Sequence, residues 1–447
     1  MNVLLINPPW FVKKGNIWSN VRSALPPLGL LYLAAILEKN NIKVDVVDFQ
    51  VTFTDWQRLE ESVASWRYDW YGITTVTPTI YNAHRIAQLI KKRQPHANVV
   101  CGGAHVTALP EETLQLDYVD YIIRGDGEDA FFRLVAGQPL QDIAGLSYKE
   151  KGNIRHVGPN GLTRQLDAIP FPAFHKVDLR RYHPAAGSYK QLPAINMLTS
   201  RGCIGHCTFC SSAGIPLRIR SAENIFQEMV MLYERYGIRE VAFYDDTFTA
   251  VNKNVDALCD LLIAKKLKLT WNCFARVDCV TLPLLRKMKQ AGCHQLMYGI
   301  ESADAQILQN ISKHINLSKN KEAVANAKEA GIQVRCAFMF GNPGETKETI
   351  DTTIRYSIEL DPDIAIYNIT TPFPGSQMFS WAKEQGYLVH EQWDKYDLSD
   401  PVMRLPTITE ETIKEKYAQA YRRFYFRPRF IAKKIKDIVL LRDVSAL

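Results

Sequence analysis

Apolar and polar positions alternate along this chain in three distinct styles. Over the first 135 residues, short apolar runs at 3–6, 44–47, 71–76, 99–101 and 121–123 predict strands. Between them, segments 28–39, 80–93 and 127–136 carry helical spacing, with Ile80, His84, Ala87 and Ile90 on one face. Strand and helix in series predict an open parallel sheet, whose ligand lies beyond the carboxyl ends of the strands. Glycines follow two of those strands, Gly102 with Gly103 and Gly125 with Gly127, where the backbone can approach a ligand closely.

Residues 137–193 lack this rhythm. "LSYKEKGNIRHVG" reads as a hairpin turning at Lys151, Gly152 and Asn153, followed by Pro159, Pro170, Pro172, Pro184 and Pro193. A second series begins at Ile195. Its strands are predicted at 195–199, 239–244, 270–274, 294–300, 333–339 and 363–369. Its helices fall at 221–236, 252–266, 281–291, 303–310, 318–330 and 345–358. Six such units suit a partial barrel, with chemistry at the carboxyl ends of the strands. The fold class is therefore α/β, divided as 1–140, a hairpin and linker at 141–193, a partial (β/α)6 barrel at 194–380, and 381–447. The last part reads as a small, mostly helical region closing the substrate side. Its aromatics, Trp381, Trp393, Tyr396, Tyr421 and Tyr425, read as core ahead of a substrate lining.

Composition changes little in this picture. A chain of 447 residues with 47% hydrophobic and 23% charged positions is globular and too long for one core. "MNVLLINPPW" reads as a strand, and no apolar run reaches the ~20 residues of a membrane span, so a cytoplasmic protein is expected. Part of the net charge of +7 sits in "YRRFYFRPRFIAKKIKDIVLLRD". A packed basic helix with solvated charges is the preferred reading, and peripheral membrane contact is the other.

Three of the nine cysteines change the picture more. Cys203, Cys207 and Cys210 stand in "TSRGCIGHCTFC" with C-x3-C-x2-C spacing, directly after the first strand of the second series. Thiolates hold zinc or iron–sulfur clusters. His206 adjoins Cys207 too closely for a comfortable tetrahedral site, and no second C-x2-C pair follows. A cluster held by three cysteines leaves one iron open, as a catalytic metal site requires. Zinc and plain core cysteines are the alternatives.

This spacing, with Phe209 before the last Cys, resembles the radical S-adenosylmethionine (SAM) superfamily. The resemblance implies one [4Fe-4S] cluster whose open iron binds SAM and whose electron cleaves it to a 5′-deoxyadenosyl radical. It places Asp245 and Asp246 of "FYDDTFT", Arg276 of "ARVD", Glu301 of "YGIES" and Gly341 of "FMFGNPGET" beside SAM. "TPFPGSQMF" follows the sixth strand. Asp246 or Thr247 as a helix cap, and Arg276 paired only with Asp278, are the plainer readings.

The first domain resembles the Rossmann-like cobalamin-binding domain of the cobalamin-dependent radical SAM class, in "LINPPW", "SALPPLGLLYLAAILE", "CGGAHVT" and "RGDGED". The implied cobalamin contacts are Asn7, Pro8, Leu28, Gly29, Thr75, Val76, Thr77, Gly102, Gly103, His105, Gly125, Gly127 and Glu128. One departure stands out: no D-x-H-x-x-G motif supplies a lower histidine ligand to cobalt, and the "TTVTPT" loop is the candidate for that face. His105 reads rather as a helix-start or surface histidine.

The resemblance implies a methyltransferase that methylates an unactivated carbon through methylcobalamin and the adenosyl radical, with the two domains closing on the substrate. An external one-electron reductant is implied, and a monomer is expected. The substrate is either a peptide or protein side chain or a small molecule or lipid, and no nucleic acid is expected. Cyclisation or rearrangement without net methyl transfer and a non-catalytic redox sensor remain rivals. A methylthiotransferase would carry a further cluster and an RNA-binding domain, neither of which is read here.

Overall fold

Runs of β-branched and aromatic residues become the strands of two large sheets, beside a small two-stranded one. The structure, a computed structural model, describes residues 1–11 and 23–441, with side chains to residue 436, so Arg442 and Asp443 of the basic stretch lie outside the described residues. By its contacts the chain forms two units. The first takes in Ala24–Tyr182 and Gln392–Tyr396 with the opening strand, and the second takes in His183–Glu391 and continues from Asp397.

In the first unit the strands are β1 (Asn2–Asn7), β2 (Lys43–Asp48), β3 (Trp70–Thr74), β4 (Asn98–Gly102), β5 (Tyr121–Ile123), β6 (Leu146–Glu150) and β7 (Asn153–His156). The helices are α1 (Leu28–Lys39), α2 (Phe49–Thr52), α3 (Trp56–Ser65), α4 (Ile80–Arg93), α5 (Ala104–Ala108), α6 (Pro110–Leu114) and α7 (Glu128–Val135). Sheet order is β2-β1-β3-β4-β5-β6-β7, parallel through β5. The predicted hairpin forms as β6 and β7 and extends this sheet antiparallel, where Leu146 pairs with Ile123 and is buried. Strand order reverses between β1 and β3, the switch point at which open α/β sheets bind ligands.

The segment Gln392–Tyr396 was expected with the closing region of the substrate side but groups with this first unit. Its aromatics explain why. Trp393 and Tyr396 are fully buried, the Trp393 indole N–H donates to Glu112 at 2.7 Å, and its ring meets His105 edge-on.

The second unit holds β8 (Ala194–Met197), β9 (Ser200–Arg201), β10 (Arg218–Ile219), β11 (Glu240–Phe243), β12 (Thr270–Ala275), β13 (Cys293–Glu301), β14 (Gln333–Phe340) and β15 (Ile364–Ile369). Its helices are α8 (Ala222–Arg235), α9 (Asn252–Lys265), α10 (Leu282–Gln290), α11 (Ala305–Asn310), α12 (Leu317–Glu329), α13 (Lys347–Leu360), α14 (Gln377–Glu384), α15 (Glu410–Tyr425) and α16 (Pro428–Leu441). A six-stranded parallel sheet runs β15-β14-β13-β12-β11-β8, an open barrel with β8 and β15 as its edges. Bare edges attract other strands. Here α15 covers β15: the Tyr421 hydroxyl donates to the Tyr367 carbonyl at 3.1 Å, and that of Tyr425 to the Ala365 carbonyl at 2.8 Å. Both tyrosines are thus spent on the fold. Among the described residues no helix is long and apolar enough to cross a membrane.

The amino-terminal end of the barrel is closed by one carboxylate. Glu240 accepts the N–H groups of Lys190 and Gln191 at 2.8 and 2.9 Å, the Thr270 hydroxyl at 2.7 Å and the Asn272 amide at 3.2 Å. His294 Nε2 stands 2.8 Å away. Burial opposes its charge, but bonds from His294, Thr270 and Lys190 hold the carboxyl below its ordinary value. Glu240→Gln is therefore expected to cost about 1–3 kcal/mol in urea unfolding. A depressed carboxyl contributes stability above its unfolded value of about 4.3 and loses it as pH falls further. The gap between wild type and variant should accordingly be full at pH 7 and shrink below about pH 4.

Candidate active site at the cysteine loop

Strand β8 ends at Met197, and the chain turns at once through Thr199 and Ser200 into the cysteine loop. Asp245, just past β11, organises that turn. It accepts the Thr199 N–H at 2.7 Å, both hydroxyls at 2.9 Å, and the Ser200 N–H. Its carboxyl is fully enclosed, and burial pushes it up to about 6 despite these donors. Asp245, expected beside SAM, spends both of its oxygens on its own loop. Gly202, at φ +83°, passes where a Cβ would meet the carbonyls of Ile215 and Pro216. Below it, Arg220 donates to the Leu198 carbonyl at 2.8 Å and pairs with buried Glu228 in α8 at 2.5 Å. Thr208 donates to the Ile311 carbonyl at 3.0 Å and accepts the Met378 N–H at 2.8 Å.

This scaffold brings the thiols to one place. All three are free. A Cβ built on Gly205 would lie 3.5 Å from Cys203 Sγ, 3.9 Å from Cys207 Sγ and 3.2 Å from the Arg276 guanidinium. Burial raises the Cys207 thiol, while Lys313 and Arg276 pull it back down. Burial also raises Cys210, and its near charges include Asp246 and both other cysteines. Two sulfurs around Gly205, with Cys210 within reach of their charge and cations beside Cys207, suit a thiolate-bound cluster, since positive neighbours favour the thiolate. His206 is exposed and acts as a spacer.

The remaining strand ends surround this loop. Asp246 is exposed and accepts the Ser212 hydroxyl at 3.1 Å. Arg276 grips Asp278 with two bonds of 3.0 and 2.8 Å. Glu301 ends β13 at φ +66° and pairs with Lys313 at 3.2 Å, both buried. Gly299 makes room for the pair, since a Cβ there would collide with the Glu301 carboxylate. Gly341, at φ +87°, donates its N–H to Glu345 at 2.6 Å. Glu345 also accepts from Asn342, and burial pushes it up to about 8. Lys313 and Glu345 escaped sequence reading as site residues: Lys313 lies outside every predicted element, Glu345 reads only as a helix start, and only the fold brings Lys313 to Cys207.

In the first unit the predicted cobalamin residues sit on the loops at the carboxyl ends of the sheet. Asn7 donates to Asp48 at 2.9 Å, and Gln50 holds the Pro8 carbonyl at 2.7 Å. Gly29, in the first turn of α1, has open space where its Cβ would be, while Leu28 is buried. Thr75 is sealed and bonds the Gly102 carbonyl at 2.9 Å. Gly103, at φ +116°, lies against the Thr75 backbone. Thr77 is buried, so of this trio only Val76 projects outward. Gly125 donates its N–H to the Thr107 hydroxyl at 3.0 Å, Gly127 precedes α7, and Glu128 is buried. His105 lies at the start of α5, as read, but not at the surface. It is buried with Nδ1 3.2 Å from Thr77, and burial with nearby His84 pushes it down to about 4, so it is a neutral core ring. His84 is likewise lowered to about 4 by burial.

The model of the B12 binding domain matches residues 17–135, and that of the radical SAM superfamily matches residues 197–357. An uncharacterized methyltransferase of Pyrococcus horikoshii, PH0819, is 36% identical over 98% of this chain and 95% of its own. The chain belongs to the cobalamin-dependent radical SAM methyltransferases. The anaerobic magnesium-protoporphyrin IX monomethyl ester cyclase of Rubrivivax gelatinosus is 28% identical over 96% of the chain and 78% of that enzyme. The solved structure of the cobalamin-dependent radical SAM enzyme OxsB, with aqua-cobalamin and SAM bound, shares the fold at a TM-score of 0.77, with 17% identity, over 100% of this chain and 71% of that one.

Proposed function

We propose that this methyltransferase methylates an unactivated carbon, with Cys203, Cys207 and Cys210 holding one [4Fe-4S] cluster. The observation that carries the reading is a loop of three free thiols, two of them around Gly205, beside Arg276 and Lys313 at the carboxyl ends of parallel strands. Asp246, Arg276, Glu301 and Gly341 would hold SAM around this loop. In the first unit Asn7, Pro8, Leu28, Gly29, Gly102, Gly103, Gly125, Gly127 and Glu128 would shape the cobalamin loops. Val76 would face the corrin, with Thr75 and Thr77 packed behind it. When bound, these groups supply one-electron cleavage of SAM and a carrier for its methyl group, a pairing needed where the accepting carbon is no nucleophile.

The chain's own task is narrower. Lys313 and Arg276 favour thiolates at the loop, Glu301 offers a carboxylate whose pairing with Lys313 fixes its direction, and the barrel walls exclude water. An external one-electron reductant is required, and we read the protein as cytoplasmic.

The cyclase relative favours a second reading, ring closure without methyl transfer. Product mass decides. The reconstituted protein, given reductant, substrate and methyl-labelled SAM, should release 5′-deoxyadenosine and a product heavier by one labelled methylene unit. 5′-Deoxyadenosine with an unlabelled product would favour cyclisation, and no SAM cleavage would sink both.

A further inference from the structure

Arg335 is a cation inside the barrel that the proposed chemistry has not used. Its direction follows from β14. Phe338 and Phe340 stack on Tyr367, whose hydroxyl meets Ser357 of α13, and Cys336 lies in reach of Lys328 on α12. Even-numbered residues of this strand therefore face the helices. Arg335, Ala337 and Met339 face the lumen, since successive side chains alternate. Across the lumen stands Tyr244, which is 39% exposed and packs on Phe274 at 5.2 Å. Tyr244 and Tyr425 are the groups whose charge is felt at Arg335.

Among the described residues no carboxylate pairs with this guanidinium, and its buried Nε has no hydrogen-bond partner. The carboxylate on the lumen floor, Glu240, is fully engaged by Lys190, Gln191, Thr270, Asn272 and His294. Burial presses the guanidinium towards losing its charge. A half-buried cation with a sealed Nε and no carboxylate beside it is costly to the fold, and such costs persist where a ligand removes them.

We propose that Arg335 is the anchor for an anionic group of the substrate, a carboxylate or a phosphate. The proposal rests on the reading of the barrel mouth as the reaction site. A guanidinium offers two parallel donors to either group, a geometry that an ammonium does not reproduce. Tyr244 and Phe274 then flank the apolar body of the substrate, whose reacting carbon lies towards the cysteine loop. The substrate class narrows to molecules carrying a fixed negative group, and neutral hydrocarbons are excluded.

The test needs no turnover. The full chain, reconstituted anaerobically and saturated with SAM, is titrated with phenylphosphonate, benzoate and benzyl alcohol, and binding is read by calorimetry and melting temperature. The two anions should bind saturably and raise the melting temperature, and benzyl alcohol should not. Arg335→Met should lose anion binding at least tenfold while melting, without probe, at or above the wild-type temperature. Arg335→Lys should retain only weak binding. The proposal falls if the wild type shows no saturable preference for anions, or if the Met variant binds them as well. It also falls if the Met variant melts well below wild type without probe, which makes Arg335 part of the fold. Displacement of the anion by SAM, one for one, would make Arg335 a SAM contact and overturn it too. Failure of methyl transfer leaves all these readings intact, so the two proposals fail separately.

Discussion

Replacing Cys203, Cys207 and Cys210 together by Ala is expected to abolish the iron–sulfur absorption of the reconstituted protein and its cleavage of SAM to 5′-deoxyadenosine. The fold should survive. The loop is held by Asp245, by Arg220 on the Leu198 carbonyl and by the Thr208 bonds, none of which involves a sulfur. Cys203 and Cys210 are only partly buried, so the loss should stay near 1–2 kcal/mol, the ordinary range for a single small truncation. The control is equally specific. Cys101, Cys273 and Cys336 are fully buried, and burial raises their thiols far from the thiolate form. Ala at these three should cost stability and leave the absorption spectrum unchanged. Absorption that survives the first triple variant would move the cluster elsewhere in the chain.

The contrast between these two sets of cysteines shows what sequence can and cannot carry. A ligand loop is local: C-x3-C-x2-C after a strand is legible because all three sulfurs hang from eight consecutive residues. Helices α1 and α4 were equally legible, since each buries one continuous apolar stripe. Helix α3 was not, because only Leu59 and Val63 of it are buried. Long-range placements escaped as well. Nothing near Lys313 announces that it will stand beside Cys207, more than a hundred residues earlier. Nothing near Trp393 places it against His105 and Glu112 rather than over the barrel. The "DD" pair was found, but which carboxylate faces inward depends on the strand register between β8 and β11. Sequence shows that two carboxylates end the strand, and tertiary structure divides their work.

That division yields the second large expectation. Asp245→Ala would leave the buried N–H groups of Thr199 and Ser200 without acceptors, at roughly 1–3 kcal/mol each. The turn into the cysteine loop should open, and cluster content should fall with it. Asp245→Asn should behave differently. Its amide oxygen can take both N–H groups, and the Thr199 hydroxyl can turn to accept from the amide nitrogen, so folding and cluster assembly are retained. SAM affinity should stay within about twofold in the Asn variant, because the carboxylate serves Thr199 and Ser200, whereas Asp246→Asn, on an exposed carboxylate, should weaken it. The pH dependence separates the roles further. Burial raises Asp245 to about 6 in the folded chain, against about 3.9 unfolded. The folded state therefore holds the extra proton between these values. The contribution of Asp245 to stability is full below about pH 4, declines as pH climbs to about 6 and is level above. Urea midpoints measured from pH 4 to 7 should show this decline in the wild type and lose it in Asp245→Asn. An unchanged slope in the variant, or a large loss of SAM binding, would return Asp245 to the ligand side of the site.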